Sequence, residues 1–418
     1  MHAFLSVTFF LGLHHGALAF VSHLNPASFT TKFVTTRFLS ERENHAIQTN
    51  SDTSRRQFFE RVKHSAATIP ALATGFSFPA SNARAASLGG AVDLPPMGLG
   101  AWAWGDSLFW GYDKKNDEEL RQVFDYAIQN SKSKTTLLDT AELYGLGRSE
   151  SLIGGFSKPY DQSKIQVATK FAALPFRTKS QDVVKACEAS LKRLGRPIDL
   201  YQIHFPNGWS NEEYWDGLAT AYEKGLVKAV GVSNYGVDAV RACHTALEKR
   251  GIQLATNQIQ LSLLYPYPLQ NGLMQACDDL GIKVLSYSPL ALGFLTGKYT
   301  KESDPPKGPR KSVYTSLLST PDYENLLATM KDVAAGHPNA NTAQVALNWT
   351  RAKNSIPIPG ARSVNQIQSN YGALDWNLSP EEVTILDLAA AKVQTFTKPS
   401  AVPFAKKDIN TGLVMFDS

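Results

Sequence analysis

From residue 91 onward, short apolar runs alternate with stretches of helical periodicity, and the alternation does not stop until about residue 392. Apolar runs at 94–100, 135–138, 165–169, 199–203, 227–232, 254–259, 282–286 and 355–358 read as strands. Between them, 117–129, 150–156, 180–194, 211–224, 237–250, 269–280 and 342–351 read as helices, with further helices expected at 322–335, 364–372 and 379–391. In 117–129 the apolar positions are Leu120, Val123, Phe124, Ala127 and Ile128, one face of a 3.6-residue helix. Gly195, Gly225, Gly251 and Gly281 stand where helices should stop. Strands that each wait for a helix before the next strand pair in parallel, so the chain reads as α/β. Eight such units in this length fit one (β/α)8 barrel. An open, doubly wound sheet is the alternative, and it expects Gly-x-Gly-x-x-Gly after its first strand. Gly98-Leu99-Gly100 lacks the third glycine, and no helix begins there.

The first ninety residues do not share this pattern. They hold eight Lys and Arg against four Asp and Glu, whereas the rest of the 418-residue chain is nearly balanced. The basic pI therefore owes much to this segment and makes no case for nucleic-acid binding, which wants a basic face on the folded domain. Residues 4–20 are apolar and end in Ala17-Leu18-Ala19, which reads as a signal peptide over 1–19. Residues 20–90 have transit-peptide composition, with Phe20 after the expected cut, as in plastid-targeting leaders. Ser54-Arg55-Arg56-Gln57-Phe58-Phe59 adds a twin-arginine resemblance, with a second small-residue site at Ala83-Arg84-Ala85. The expected address is a plastid, stroma or thylakoid lumen, with no membrane span in the mature chain. The barrel is assigned to 91–392 and a tail to 393–418. Cys187, Cys243 and Cys277 show no metal-ligand spacing and read as buried small hydrophobes; no metal is expected.

Chemistry-bearing residues collect at the strand ends: Asp139, Tyr144, Lys170, His204, Ser233-Asn234, Gln258 and Tyr287-Ser288. In a barrel these ends converge on one face, so an acid, a phenol, an amine and an imidazole distant in sequence can share a pocket. A tyrosine is a poor acid at neutral pH, and a lysine ammonium nearby is expected to lower its pKa. An aspartate can hold that lysine, and a histidine can orient a carbonyl oxygen. Such a set can protonate an alkoxide as a hydride arrives. Glu142, between Asp139 and Tyr144, is not expected in catalysis.

Several motifs in order resemble the aldo-keto reductases across residues 92–392: Gly98-Leu99-Gly100-Ala101-Trp102, Leu138-Asp139-Thr140-Ala141, Tyr144-Gly145, Val167-Ala168-Thr169-Lys170, Asp199-Leu200-Tyr201-Gln202-Ile203-His204, Gly231-Val232-Ser233-Asn234-Tyr235, Asn257-Gln258, Tyr287-Ser288-Pro289-Leu290 and Ile356-Pro357-Ile358-Pro359-Gly360. Ala172-Ala173-Leu174-Pro175 and Leu295-Thr296-Gly297-Lys298-Tyr299 are similar to plant plastid members. The resemblance implies Tyr144 as general acid, Lys170 and Asp139 as its tuners, and His204 as the carbonyl-orienting group. It implies NADPH/NADP, with Ser233, Asn234 and Gln258 on the carboxamide and Tyr287 stacked on the nicotinamide. Ser288, Leu290 and Gly293 would wrap the pyrophosphate. Gly360, Ala361, Arg362, Gln366 and Asn370 would receive the adenosine 2′-phosphate at a helix N-terminus. Many relatives carry Arg or Lys where this chain has Gln366, which leaves Arg362 as the expected cation. Trp102, Trp110, Phe171, Phe205 and Trp209 are the candidate substrate pocket, with Trp104 close by.

The function expected from this is NADPH-dependent reduction of an aldehyde or ketone, a small molecule, to an alcohol. The same residues serve alcohol or sugar oxidation. A cofactor-holding, redox-sensing subunit and a Schiff-base aldolase using Lys170 are the competing classes.

Overall fold

In the computed structural model, the described residues are 92–207, 210–300, 303, 311 and 320–393, with short strands at 86–88, 405–407 and 414–416. The chain divides into units 1–79 and 80–418, and every described residue lies in the second. The leader expected over 1–90, apart from the strand at 86–88, most of the Pro-, Gly- and Lys-rich segment 297–320, Trp209 and most of the tail lie outside the described residues.

The strands are β1 (Ala86–Leu88), β2 (Val92–Leu94), β3 (Gly98–Gly100), β4 (Thr136–Asp139), β5 (Ile165–Phe171), β6 (Ile198–Ile203), β7 (Val227–Ser233), β8 (Leu254–Gln260), β9 (Lys283–Tyr287), β10 (Ile356–Pro357), β11 (Ala405–Lys407) and β12 (Val414–Phe416). The helices are α1 (Asp117–Gln129), α2 (Arg148–Ser157), α3 (Ser180–Leu194), α4 (Asn211–Glu223), α5 (Val237–Glu248), α6 (Leu273–Asp279), α7 (Pro321–Ala335), α8 (Thr342–Ala352), α9 (Val364–Gly372) and α10 (Pro380–Lys392). Strands β3 to β10 form one parallel sheet in sequence order. A parallel bridge between Gly100 and Gly360, with the Gly100 N–H donating to Pro359 O at 3.0 Å, joins its two edges. The expected (β/α)8 barrel is therefore what the chain forms.

That seam explains Gly98 and Gly100. A Cβ on Gly98 would lie 2.7 Å from the Ile358 side chain, and one on Gly100 would lie 2.9 Å from the Ile358 carbonyl. The two glycines let the first and last strands meet, so this Gly-x-Gly serves barrel closure.

The run expected as one strand over 94–100 is broken in two. Pro95 and Pro96 have no N–H for a ladder, so β2 ends at Leu94 in an antiparallel hairpin with β1, and β3 starts afresh at Gly98. The helix expected over 269–280 shortens to α6, because Gly272 takes a left-handed φ of 81° at its N-cap.

Two apolar clusters hold the barrel. The larger lies between the outer strand faces and the helices; α1 contributes Leu120, Val123, Phe124, Ala127 and Ile128. The smaller joins one residue from each of seven strands (Leu137, Ala168, Leu200, Ala229, Ala255, Leu285, Ile356) under Leu94 of the hairpin. It is the floor of the barrel interior. Two residues further along β4 and β5, the same inward faces present Asp139 and Lys170, so the interior turns from apolar to ionic toward the strands' C-terminal ends. On β8 the register shifts between Val230 and Gly231 of its neighbour β7. This bulge places Thr256 and Gln258 on the inward face after Ala255.

Candidate active site

The ends of β4 to β9 deliver polar side chains to the same mouth. Lys170 Nζ donates to Asp139 Oδ1 at 2.6 Å and to Thr140 O at 2.8 Å, and lies 3.5 Å from the Tyr144 hydroxyl. The Lys170 side chain has no exposure and that of Asp139 3%, so this is a buried ion pair. Its second carboxylate oxygen is also satisfied: Gln258 Nε2 donates to Asp139 Oδ2 at 2.7 Å. The His204 ring stands edge-on to the Tyr144 ring, centroids 5.6 Å apart. The four residues expected to carry the chemistry are thus in one place. Lys170 is enclosed and doubly bonded, not offered to a carbonyl as an aldolase lysine would be.

The electrostatics correct one expectation. Tyr144 is raised well above 10.0, not lowered; burial is the main cause, followed by the negative charge of Asp139. The physical reason is that Asp139 takes up the ammonium at short range and leaves little positive field for a phenol 3.5 Å away. Burial also lowers Lys170 from 10.5, against the pull of Asp139. His204 is held well below 6.5 by burial and by the Lys170 charge. At neutral pH the mouth therefore holds a protonated phenol beside a neutral imidazole. His204 Nδ1 is buried without a hydrogen-bond partner among the described residues.

The expected cofactor residues form a second patch against the first. Ser233 Oγ donates to Gln258 O at 2.8 Å. Asn234, at a left-handed φ of 62°, donates through Nδ2 to His204 O at 3.0 Å, and its Oδ1 accepts from the Tyr287 hydroxyl at 2.8 Å. After β9, Ser288, Ala291, Leu292 and Gly293 all have positive φ (50°, 47°, 57° and 102°), with Leu290 between them. Successive backbone N–H groups in such turns converge, which suits an anion. At the barrel's last turn, α9 begins after Ser363 with no side-chain cap; the Gln366 N–H turns back to Ser363 O at 3.1 Å, and ahead of it stand the N–H groups of Val364 and Asn365. A cleft of about 220 Å³ lies there, lined by Arg362, Ser363 and Gln366 with Tyr112, Asn116 and Glu119. Gln366 Oε1 accepts from the Arg362 N–H at 2.8 Å, and Arg362 Nη1 donates to Trp110 O at 3.2 Å. Ala361 O accepts from Trp104 Nε1 at 2.9 Å, and Gly360 O from Asn370 at 3.4 Å. The residues present fit a dinucleotide ending in a phosphate: amide-binding groups by the ion pair, an anion-favouring turn after β9, and a cation beside an uncapped helix.

The aromatic residues divide. Trp102 stacks on Phe109 (5.0 Å) and on Tyr144 (6.2 Å) and meets Trp110 edge-on (5.5 Å), forming one wall of the mouth. Phe205 packs at 5.5 Å from the His204 ring. Phe171 does not join them: strand alternation turns it to the opposite face from Lys170, where it is fully buried against Tyr214 and under the Arg177 guanidinium. It belongs to the core. Phe109 was not expected in the wall, and its place one residue before Trp110 was the available signal. Glu142 and Arg177 were also missed. Glu142 Oε1 accepts from the Ala172 N–H at 2.6 Å and from Arg177 Nη1 at 2.7 Å.

A profile of the Aldo/keto reductase family matches residues 96–391. The chain belongs to the aldo/keto reductase family. It is an oxidoreductase of that family, and its barrel and strand-end set are those described above. It is 43% identical over 319 residues to the chloroplastic pyridoxal reductase of Arabidopsis thaliana, covering 72% of this chain and 84% of that protein. It is 30% identical over 304 residues to the aldo-keto reductase yakc [NADP(+)] of Schizosaccharomyces pombe, covering 69% and 86%. A thermostable aldo-keto reductase solved with the inhibitor epalrestat superposes with a TM-score of 0.58 at 29% identity, over 71% of this chain and 96% of that one. Among the described residues no helix is long and apolar enough to cross a membrane, and no cluster of three His, Cys, Asp or Glu is poised for a metal.

Proposed function

We propose that this aldo/keto reductase reduces the carbonyl of an aldehyde or ketone, with NADPH as cofactor and Tyr144 as general acid. The observation that carries the reading is the buried Asp139–Lys170 pair, 2.6 Å apart, set beneath the protonated Tyr144 hydroxyl with neutral His204 alongside. When bound, NADPH supplies the hydride. Ser233, Asn234 and Gln258 would hold its carboxamide, Tyr287 its nicotinamide face, the turn after β9 its pyrophosphate, and Arg362 with Gln366 its 2′-phosphate. The chain's own residues then account for the rest. Tyr144 keeps its proton because burial raises its pKa, and gives it to the oxygen on which negative charge develops. Lys170, held by Asp139, keeps an N–H 3.5 Å from the Tyr144 oxygen, with which it would donate to the tyrosinate left behind. His204, uncharged, retains one N–H with which to orient the carbonyl oxygen. The Trp102–Phe109–Trp110 wall excludes water and favours an aromatic or apolar carbonyl compound.

Pyridoxal is the first carbonyl to try, because the Arabidopsis relative bears that name. The test follows NADPH oxidation by residues 86–418 against pyridoxal, other aldehydes, ketones and sugars, with Tyr144→Phe beside the wild type. Turnover should fall by about 10²- to 10⁴-fold in the variant, the usual share of general acid catalysis. Unchanged turnover there would overturn the mechanism, and a clear preference for NADH over NADPH would overturn the cofactor.

We also propose that residues 1–90 address the enzyme to a plastid, supported by the leader's composition and the chloroplastic relative. Fused to a fluorescent protein in an algal or plant cell, they should label plastids; cytosolic fluorescence would refute this.

A further inference from the structure

Tyr144 sits at the start of a strained turn. Gly145, Leu146 and Gly147 follow it at φ of 57°, 54° and 88°, three left-handed residues in succession, the middle one a leucine. A Cβ on Gly145 would lie 2.4 Å from the Gly105 carbonyl, so the turn is pressed against the neighbouring loop. Such a conformation persists only when its surroundings over-determine it. The Tyr144 hydroxyl does not do this itself, since its hydrogen bond to Lys170 is long, at 3.5 Å. The backbone must therefore place it.

On the upstream side, the tie is Glu142. Its N–H reaches back to Lys170 O at 3.4 Å, and its carboxylate accepts from the Ala172 N–H at 2.6 Å, two residues past Lys170. The same carboxylate takes both terminal nitrogens of Arg177, at 2.7 and 3.3 Å. Arg177 is itself fixed from three sides. It donates to Ala172 O at 3.2 Å, its guanidinium lies over the Phe171 ring at 4.4 Å, and its carbonyl accepts from the buried Tyr214 hydroxyl at 2.5 Å. Tyr214 also receives a bond from Asn207, three residues beyond His204. The Glu142 and Arg177 side chains are 13% and 19% exposed, so solvent screens the pair only in part. A bidentate guanidinium–carboxylate pair fixes direction as well as distance.

We infer that Glu142 and Arg177 are positioning residues for the proposed acid: a latch that ties the Tyr144 loop to the end of the strand carrying Lys170 and, through Tyr214, to the loop after His204. Neither residue touches the reacting atoms. The inference rests on the proposed role of Tyr144. Its mechanical content is that losing the latch lets the phenol drift from the spot where the proton is needed, while the cofactor patch on β7, β8 and β9 is untouched.

The experiment uses Glu142→Ala, Arg177→Ala, the double variant and Arg177→Lys, each checked by thermal melting. Each is assayed for NADPH binding by fluorescence quenching, for steady-state reduction, and for the isotope effect on kcat with NADPH deuterated at the transferred position. Each alanine variant should lose on the order of 10- to 100-fold in kcat, the range expected for misplacement by about 1 Å. NADPH affinity should hold, and the isotope effect should rise as the chemical step comes to limit turnover. The double variant should be no worse than the worse single one, and Arg177→Lys should recover part of kcat by restoring one donor. Unchanged kcat, strictly multiplicative single effects, or a loss of NADPH affinity that parallels kcat would each overturn the latch. If an alanine variant does not fold, Arg177→Lys decides alone: wild-type kcat and isotope effect in it would overturn the proposal. A wild-type enzyme that reduces no carbonyl would sink the reading of Tyr144 and the latch with it, whereas active wild type with unaffected variants sinks only the latch.

Discussion

Tyr144 and His204 have opposite pKa displacements with one main cause, burial: the phenol is held well above 10.0 and the imidazole well below 6.5. Both displacements favour the uncharged form. In linkage terms, the raised Tyr144 value contributes stability that is whole below about pH 10 and is lost as pH rises through the folded-state value. The depressed His204 value contributes stability that is present above about pH 6.5 and is lost as pH falls toward its folded-state value. For turnover, kcat/KM for the carbonyl should run flat across neutrality, because Tyr144 and His204 stay uncharged there, and a fall on the alkaline side belongs to Lys170, which burial lowers from 10.5. Initial rates at saturating NADPH across that range would check it. A break near neutrality that disappears in Tyr144→Phe would mean that Lys170 does lower the phenol, against the geometry. The sequence told which four residues meet, because strand-end position alone brings them together in a barrel. It did not tell the sign of the Tyr144 displacement. That depends on Lys170 being spent on Asp139 at 2.6 Å and on Thr140 O at 2.8 Å, which no spacing in the chain encodes.

At the level of elements, the strand and helix order was legible because hydrophobic period and glycine stops change together, as at Gly195, which caps α3 in a left-handed conformation. What was not legible were places where one local rule yields to a neighbour. The 94–100 run looked like one strand until Pro95 and Pro96 divided it between a floor hairpin and the first barrel strand. Gly98 and Gly100 were read only as falling short of a nucleotide fingerprint, and their service to the seam with Ile358 was not legible. Phe171 looked like a pocket residue beside Lys170, but adjacent residues on a strand face opposite ways, and its ring went to Tyr214. The β8 bulge that turns Gln258 inward is set by pairing with β7, so Gln258 was assigned to the cofactor alone and its bond to Asp139 was unforeseen. Glu142 was not expected in catalysis, and its tie to Arg177, 35 positions away on a different loop, lies beyond any local pattern.

Across the whole molecule, chemistry and stability are divided between the barrel's two ends. The C-terminal ends of the strands hold the ion pair, the phenol and the left-handed turn after β9, while the interior floor is closed by apolar residues under Leu94. Leu94 belongs to the hairpin and not to the barrel, and it is 1% exposed. Removing most of its side chain leaves a void that a closed ring of strands cannot easily collapse to fill. Leu94→Ala should therefore lower the unfolding free energy by about 2–5 kcal/mol, the range for deleting a buried leucine. Urea unfolding would measure this as a shift in midpoint with little change in slope. At temperatures where the variant is fully folded, its kcat and its KM for NADPH should match the wild type, because the floor lies beneath the ion-pair layer and touches none of it. A variant that keeps its stability but loses turnover would mean that the floor sets the geometry of the mouth, and that the two ends of the barrel are not independent.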